Sequence, residues 1–234
     1  MRVPYTNFKT RTGDDNAVGG CAFIGGEWKD VDTAEIFDNK KIVVFALPGA
    51  FTPTCSSQQV PGYEEMYDEF KAQGIDEVYC LSVNDAFVMN AWFNNQEIKK
   101  VKPIGDGEGV FTQGMGMLVN KPGQGFGMRS WRDSMLVDNG EIIKQFVEEG
   151  QNNASDDDDP FEVSDAKTML DFIKSNFFRT SRPITVTYFK QKTARMARGK
   201  TVDGGSLRVR SEGIKKRQSD KENRSAVDRQ ALDR

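Results

Sequence analysis

The sequence has no histidine and only three cysteines among its 234 residues. Three cysteines are too few for a disulfide scaffold of this length, and residues 1–8 (MRVPYTNF) lack the long apolar run of a signal peptide. The longest apolar run, IVVFAL at residues 42–47, is far shorter than the ~18 residues that a membrane-spanning helix needs. These absences predict a protein of the reducing cytoplasm that has no membrane segment.

Charge is divided unevenly along the chain, whose net charge is −3. Residues 181–234 carry 15 Lys and Arg against 6 Asp and Glu, a charge of +9, which leaves −12 for residues 1–180. An acidic body repels polyanions, so nucleic acid is not an expected partner. The composition predicts a folded domain over residues 1–180 and a basic tail of low order over residues 181–234.

Strand and helix patterns alternate in the first half of the body. KIVVFAL at residues 41–47 is typical of a buried strand, and EVYCLSV at residues 77–83 indicates a second one. Between them, an apolar stripe predicts a helix from about Cys55 to Gly74, which Pro61 kinks or divides. Asn84 or Asp85 is expected to cap the next helix. This βαβα order is typical of an α/β fold.

The second half of the body predicts the rest of one sheet. Strands are expected near residues 101–104, 134–137 and 142–147, and Asn139-Gly140 is a strong signal for a two-residue hairpin between the last two. Ser164 is expected to cap a final helix that has one apolar face. The whole pattern predicts a thioredoxin-like α/β fold, with a central mixed sheet flanked by helices on both sides.

One cysteine stands at a chemically favourable place, in LPGAFTPTCSSQQVPGY at residues 47–63. Cys55 falls in the first turn of a helix that follows a buried strand, where unpaired backbone N–H groups and the helix dipole stabilise a thiolate. The position predicts a nucleophile that is partly open to solvent. The alternative is a small buried packing residue, the usual role of a free cysteine.

Three strings around this cysteine also resemble those of a known family. Pro48, Thr52 and Cys55 match the PxxxTxxC motif of peroxiredoxins, and GAFTPTC, SVNDAFVMNAW and RSWRDSM resemble its plant type II and bacterial glutaredoxin-fused branch. The resemblance runs from about Val3 to Phe178. It implies a thioredoxin-fold peroxidase without bound metal or prosthetic group, in which Cys55 attacks hydrogen peroxide or an alkyl hydroperoxide.

The resemblance also implies roles for the residues around Cys55. Arg132 matches the cation that stabilises the sulfur and the leaving oxygen, a task suited to the forked, permanently charged guanidinium. Thr52 would place its hydroxyl against the peroxide, and Pro48 would close the pocket. Arg129 is either a second cation of the site or a surface or interface charge. Gln59 stands where this branch usually has histidine, and it can hydrogen-bond but cannot become cationic.

Attack on peroxide leaves a cysteine sulfenic acid that another thiol must reduce. Cys80 matches a possible resolving cysteine of plant type II relatives, although its place within a predicted buried strand favours packing. The sequence therefore predicts reduction by external glutathione or glutaredoxin, with thioredoxin as the alternative reductant. Cys21 has no motif around it and is interpreted as structural. The acidic run at residues 156–159 (DDDD) is interpreted as a solvated loop.

Several alternatives follow from the same residues. Hybrids of this branch carry a glutaredoxin after the peroxidase, but residues 190–234 contain no cysteine, which excludes a working one. A thioredoxin-type disulfide oxidoreductase needs a second thiol that CSSQ lacks. A redox sensor or binding protein that uses Cys55 without turnover stays open. Apolar loops around Phe51, Phe87 and Trp92 either cover the rim of the pocket or meet a partner subunit. Members of the branch that the sequence resembles commonly pair through that side, which implies a homodimer.

Overall fold

The computed structural model describes residues 1–13, 26–151 and 159–180, with side chains to residue 176. The predicted tail at residues 181–234, Cys21 and most of the acidic run lie outside these ranges. Within them, the strands are β1 (Asn7–Thr12), β2 (Glu27–Asp32), β3 (Lys41–Leu47), β4 (Glu77–Ser82), β5 (Lys102–Gly105), β6 (Leu118–Lys121), β7 (Gly127–Ser130), β8 (Asp133–Asp138) and β9 (Glu141–Val147). The helices are α1 (Thr33–Phe37), α2 (Val60–Glu65), α3 (Tyr67–Ala72), α4 (Ala86–Asn95), α5 (Val110–Gly114) and α6 (Ala166–Thr180).

A five-stranded mixed sheet forms the centre, in the order β5-β4-β3-β8-β9. Strands β3, β4 and β5 are parallel, whereas β8 and β9 are antiparallel to their neighbours. β3 lies in the middle and is buried on both faces, which explains its unbroken apolar sequence. The predicted mixed sheet is confirmed. None of the helices in the described ranges is long and apolar enough to cross a membrane.

The two faces of β3 belong to two separate cores. Val43, Phe45 and Leu47 pack against α2, α4 and α6, while the alternate residues of β3 pack against α1 and α5. Phe45 stacks on Tyr63 of α2, with ring centroids 4.0 Å apart. Burial of one such aromatic side chain contributes about 1.5–3 kcal/mol. The predicted helices on both sides of the sheet are confirmed, and Cys55 and Cys80 lie in the core that contains Phe45.

Two local signals predicted the structure correctly. Asp85 caps α4, because its carboxylate accepts the Val88 N–H at 3.0 Å. Asn139 and Gly140 have φ of 48° and 76°, as a type I′ turn requires, and they join the antiparallel strands β8 and β9.

Two other predictions are wrong. Ser164 does not cap α6, since Asp165 accepts the Thr168 N–H at 3.0 Å, whereas the Ser164 hydroxyl donates to the Glu148 carboxylate. The stronger, charge-assisted partner explains this choice. The helix after Cys55 is divided at Met66 and not at Pro61. Pro61 lies in the first turn of α2, directly after the π-helical segment Cys55–Gln59.

Asp133 at the start of β8 makes stability depend on pH. One of its carboxyl oxygens accepts from Gln145 at 2.8 Å, and the other has no hydrogen-bond partner in the described structure. Complete burial raises the pKa of this carboxyl from 3.8 to about 7. Between these two values the unfolded chain loses the proton and the folded chain keeps it, so this group's contribution to stability is lost as pH rises toward 7.

Asp133→Asn removes this pH-dependent loss. We expect the change that the substitution causes in the free energy of unfolding to be more favourable at pH 8 than at pH 4, by on the order of 2–4 kcal/mol. Urea unfolding of both proteins at the two pH values measures the difference. Asp138→Asn, at a half-exposed position of the same strand, is the matched control. Parallel pH dependences in the parent and Asp133→Asn would contradict the prediction.

Candidate active site

The loop between β3 and the following helix carries the predicted motif. The Ala50 N–H donates to Asn84 Oδ1 at 3.0 Å, which ties this loop to the loop after β4. Phe51 adopts a left-handed conformation, with φ of 60°, a strain of about 1–2 kcal/mol for a residue of this kind. The Thr52 hydroxyl donates to the Gly49 carbonyl at 2.8 Å. Pro48 is buried and Thr52 is half-buried, so the loop has a fixed shape at the end of β3.

Cys55 follows this loop and begins a π-helical segment, Cys55–Gln59, that leads into α2. Its placement in the first turn of a helix after a buried strand is confirmed. The expectation of a partly open side chain is wrong, since Cys55 is 0 % exposed. The helical segment turns the sulfur inward, into the core that also contains Phe45 and Tyr63.

Arg132, between β7 and β8, makes the contact that defines the site. Its Nη1 donates to Cys55 Sγ at 3.5 Å and also to Gln59 Oε1. The amide nitrogen of the fully buried Gln59 is 3.5 Å from the Ala46 carbonyl oxygen, to which it donates, so the amide oxygen faces the guanidinium. Gln59, which stands where the resembled branch usually has histidine, thus supplies a neutral hydrogen-bond acceptor for Arg132.

The charge of Arg132 is buried and compensated. Arg132 is 1 % exposed, and its Nη2 forms an ion pair with Asp159. Burial opposes the positive charge, but the Cys55 sulfur and the Asp159 carboxylate outweigh it, so the pKa of Arg132 lies above its ordinary value. Its Nε has no partner in the described structure. The guanidinium is therefore cationic and keeps one donor for a further acceptor.

Asp159 is a site residue that the sequence reasoning missed. The acidic run was interpreted as a solvated loop, and its last residue is exposed, but the carboxylate of that residue also pairs with the buried Arg132. The Asp159 side chain is 34 % exposed and lies 27 residues from its partner in the chain. A buried arginine nearly always has a carboxylate partner, and that requirement was the available signal.

The segment that carries Asp159 is fastened by a buried carboxylate. Glu148, at the end of β9, accepts the backbone N–H groups of Glu162, Val163 and Ser164 at 2.8–3.1 Å, and also the Ser164 hydroxyl at 2.7 Å. Tyr63 donates its hydroxyl to the Ser164 carbonyl at 2.8 Å. Residues 162–164, three to five residues after Asp159, are thereby held against the end of β9 and against α2.

Arg129 occupies a different place from Arg132. Its Nε donates to the Phe126 carbonyl at 3.0 Å and its Nη1 to the Val83 carbonyl at 3.2 Å. A Cβ atom on Gly49 would lie 3.4 Å from the same Nη1, so the guanidinium lies beside the motif loop. These contacts join three loops around the site, whereas the described contact with the Cys55 sulfur belongs to Arg132.

Cys80 lies within β4 and is 0 % exposed. It shares a core with Cys55, and both are free thiols. Burial, with a smaller contribution from Cys55, raises the pKa of the Cys80 thiol well above its ordinary value. Such a thiol is mostly protonated at neutral pH, which makes it a poor nucleophile.

The described residues favour thiol chemistry at this site. The N–H groups at the start of a helix and a buried arginine can stabilise negative charge on sulfur and on a second atom beside it. Among residues 1–13, 26–151 and 159–180, no cluster of three or more Cys, Asp or Glu side chains has the arrangement of a metal site.

Comparisons with known proteins agree with this chemistry. The Redoxin family model matches residues 17–170. The chain is 52 % identical over 175 residues to a peroxiredoxin of Synechocystis sp., which covers 74 % of this chain and 89 % of that protein. It is 49 % identical over 172 residues to a hybrid peroxiredoxin of Haemophilus influenzae, which covers 74 % of this chain and 64 % of the hybrid.

A solved structure confirms the fold. The reduced Prx3 of Vibrio vulnificus in complex with hydrogen peroxide superposes with a TM-score of 0.64 at 34 % identity, over 75 % of this chain and 95 % of that one. The predicted thioredoxin-like fold is confirmed by these matches. A buried cysteine and arginine at the end of the central strand, together with this similarity over most of the sequence, show that the chain belongs to the peroxiredoxins, the thiol-dependent peroxidases.

Proposed function

We propose that this peroxiredoxin reduces hydrogen peroxide and alkyl hydroperoxides by attack of Cys55 on the O–O bond. The observation that carries the proposal is the 3.5 Å contact between Arg132 Nη1 and Cys55 Sγ at the start of a helix. A guanidinium cation stabilises negative charge on a neighbouring sulfur, and the thiolate is the nucleophilic form of cysteine. The similar protein from Vibrio vulnificus was solved with hydrogen peroxide bound, which supports that substrate class.

In the proposed reaction, the Cys55 thiolate forms an S–O bond as the O–O bond breaks. The electron pair of the broken bond stays on the departing oxygen, which takes up a proton and leaves as water or an alcohol. Arg132 would stabilise this oxygen with the Nε donor that has no partner within the described residues. Thr52 donates to Gly49 and so keeps lone pairs free to accept the peroxide O–H. Pro48 would exclude water from this pocket.

The sulfenic acid at Cys55 then needs two electrons from an external thiol. We assign this step to glutathione or a separate glutaredoxin, with thioredoxin as the alternative, because the raised pKa of Cys80 makes it a poor resolving thiol. The incoming thiol forms a mixed disulfide with Cys55 and releases water, and a second thiol reduces that disulfide. Cys80 would then act as a packing residue of β4.

Peroxide consumption with each reductant supplied separately tests the proposal. We expect turnover with glutathione and glutaredoxin, and Cys80→Ser should retain most of it. Protein oxidised by one equivalent of peroxide should bind one glutathione. A mass two hydrogens lighter, a peptide joining Cys55 to Cys80, and loss of turnover in Cys80→Ser would instead assign Cys80 as the resolving residue. A single round of oxidation without turnover would indicate a redox sensor.

We also infer a homodimer in the cytoplasm. Phe51 on the motif loop is 55 % exposed, which supports an interface at that side. Trp92, which the sequence placed on the same rim, is fully buried and donates to the Ser56 hydroxyl at 3.1 Å, so it supports the loop from beneath. A monomeric mass at micromolar concentration would contradict the dimer. Recovery of the protein outside the cytoplasmic fraction would contradict the compartment.

A further inference from the structure

The guanidinium of Arg132 is held at two separate nitrogens. Nη1 faces Cys55 and Gln59, and Nη2 faces Asp159. A guanidinium is planar and rigid, so a carboxylate that fixes one of its nitrogens also fixes the direction of the others. Gln59 holds Nη1 beside the sulfur, and the contact of Nη2 with Asp159 then fixes the direction of Nε.

An ion pair made by a mobile loop carboxylate contributes little, because solvent and side-chain entropy offset the attraction. Asp159 differs from such a residue, because the segment behind it is anchored. The buried Glu148 accepts three backbone N–H groups of that segment, and Tyr63 donates to its Ser164 carbonyl. Phe161 in the same segment places its ring 5.6 Å from the Arg132 guanidinium. The carboxylate is thus presented to Arg132 at a defined position.

We propose that Asp159 is a positioning residue of the peroxidase reaction, which holds Arg132 in the orientation that the departing oxygen requires. The proposal rests on the function assigned to Cys55 and Arg132 above. Asp159 does not touch the sulfur in this arrangement, and it acts through the guanidinium. Glu148 and Tyr63 have the supporting role of fixing the segment that carries it.

The charge of Asp159 also has an effect on the Cys55 sulfur, which opposes the favourable effect of positioning Arg132. It partly neutralises Arg132 and so weakens the stabilisation of a thiolate at Cys55. The Cys80 thiol and the Tyr63 phenol share this core with Cys55, and burial raises the pKa of both, which keeps them protonated. Loss of Asp159 should therefore leave the intrinsic reactivity of the sulfur undiminished while it disturbs the peroxide step. General damage to the site would reduce both.

Two substitutions separate these effects. Asp159→Ala removes the acceptor and the charge, and Asp159→Asn keeps an oxygen acceptor for Nη2. Asp171→Asn on α6 is the control, since Asp171 is an exposed acid paired with Lys167. For each protein, rapid-quench trapping measures the rate of sulfenic acid formation with hydrogen peroxide, and iodoacetamide measures alkylation of reduced Cys55.

We expect Asp159→Ala to slow sulfenic acid formation about tenfold and Asp159→Asn to recover most of the rate, because placement of the donors is what has been lost. Alkylation should stay at or above the parent rate in both variants. A parent-like peroxide rate in Asp159→Ala, or equal losses in the two reactions, would overturn the proposal. Absence of sulfenic acid at Cys55 in the parent would overturn the proposed function as well, and so the two failures are distinct.

Discussion

Replacement of Cys55 by serine is expected to abolish peroxide turnover with every reductant. A serine hydroxyl stays protonated at neutral pH, and its oxygen cannot be oxidised to a sulfenic acid that a thiol can reduce. The residue is fully buried, but serine is close in size to cysteine, so the fold should persist. Loss of peroxide consumption, measured together with an unchanged circular dichroism spectrum, is the expected result.

The matched control is Cys80→Ser, which changes the other buried cysteine of the same core. It should keep the peroxide step at the parent rate, because Cys80 does not take part in the attack on peroxide. Consumption of peroxide by Cys55→Ser at the parent rate would show that the nucleophile lies elsewhere and would end the mechanism proposed for this site.

Arg132→Gln is expected to have the second largest effect, a loss of about 10²–10³-fold in the rate of sulfenic acid formation. Glutamine can occupy part of the volume and can donate a hydrogen bond, but it cannot supply the charge that stabilises sulfur and the departing oxygen. Alkylation by iodoacetamide should also slow, since the thiolate loses its cation. This joint loss distinguishes Arg132→Gln from the Asp159 variants.

Arg129→Gln provides the comparison between the two arginines. Arg129 donates to the carbonyls of Val83 and Phe126, so its loss should loosen the loops and reduce the rate less than about tenfold, because no described contact with the Cys55 sulfur is removed. Stopped-flow rates for both variants against the same peroxide decide the point. Equal losses would remove the distinction drawn here between a residue that contacts sulfur and a residue that organises its surroundings.

Features with a local cause were predictable from the sequence. The buried strand β3 follows from its apolar run, the start of α4 from Asp85, and the β8 to β9 turn from Asn139-Gly140. Each depends on residues that are close together in the chain. The start of a helix near Cys55 was predictable for the same reason, because the change from a strand pattern to a helical one falls there.

The parts that were not predictable depend on contacts between distant residues. Arg132 pairs with Asp159, which lies 27 residues further along the chain. Glu148 accepts hydrogen bonds from Ser164, which lies 16 residues further along. Contacts between residues this far apart produce no periodic pattern in the sequence, because the path of the chain after β9 determines them. The full burial of Cys55 likewise depends on how its helix packs on the sheet. The pattern alone could place the cysteine at a helix start but could not say which side it faces.

The π-helical turn at Cys55–Gln59 accommodates one residue more than an α-helix would. The Val60 N–H bonds to the Cys55 carbonyl, five residues back rather than four, so this turn contains one residue more than an α-helical turn. The wider turn absorbs the additional residue, and both the Cys55 sulfur before it and Tyr63 after it lie in the same core. Deletion of one residue between Cys55 and Val60 would close this turn to an α-helical one and leave Tyr63 in place, whereas insertion of a further residue would rotate Tyr63 away from the core by about 100°. We therefore expect an insertion in this turn to do more harm than a deletion.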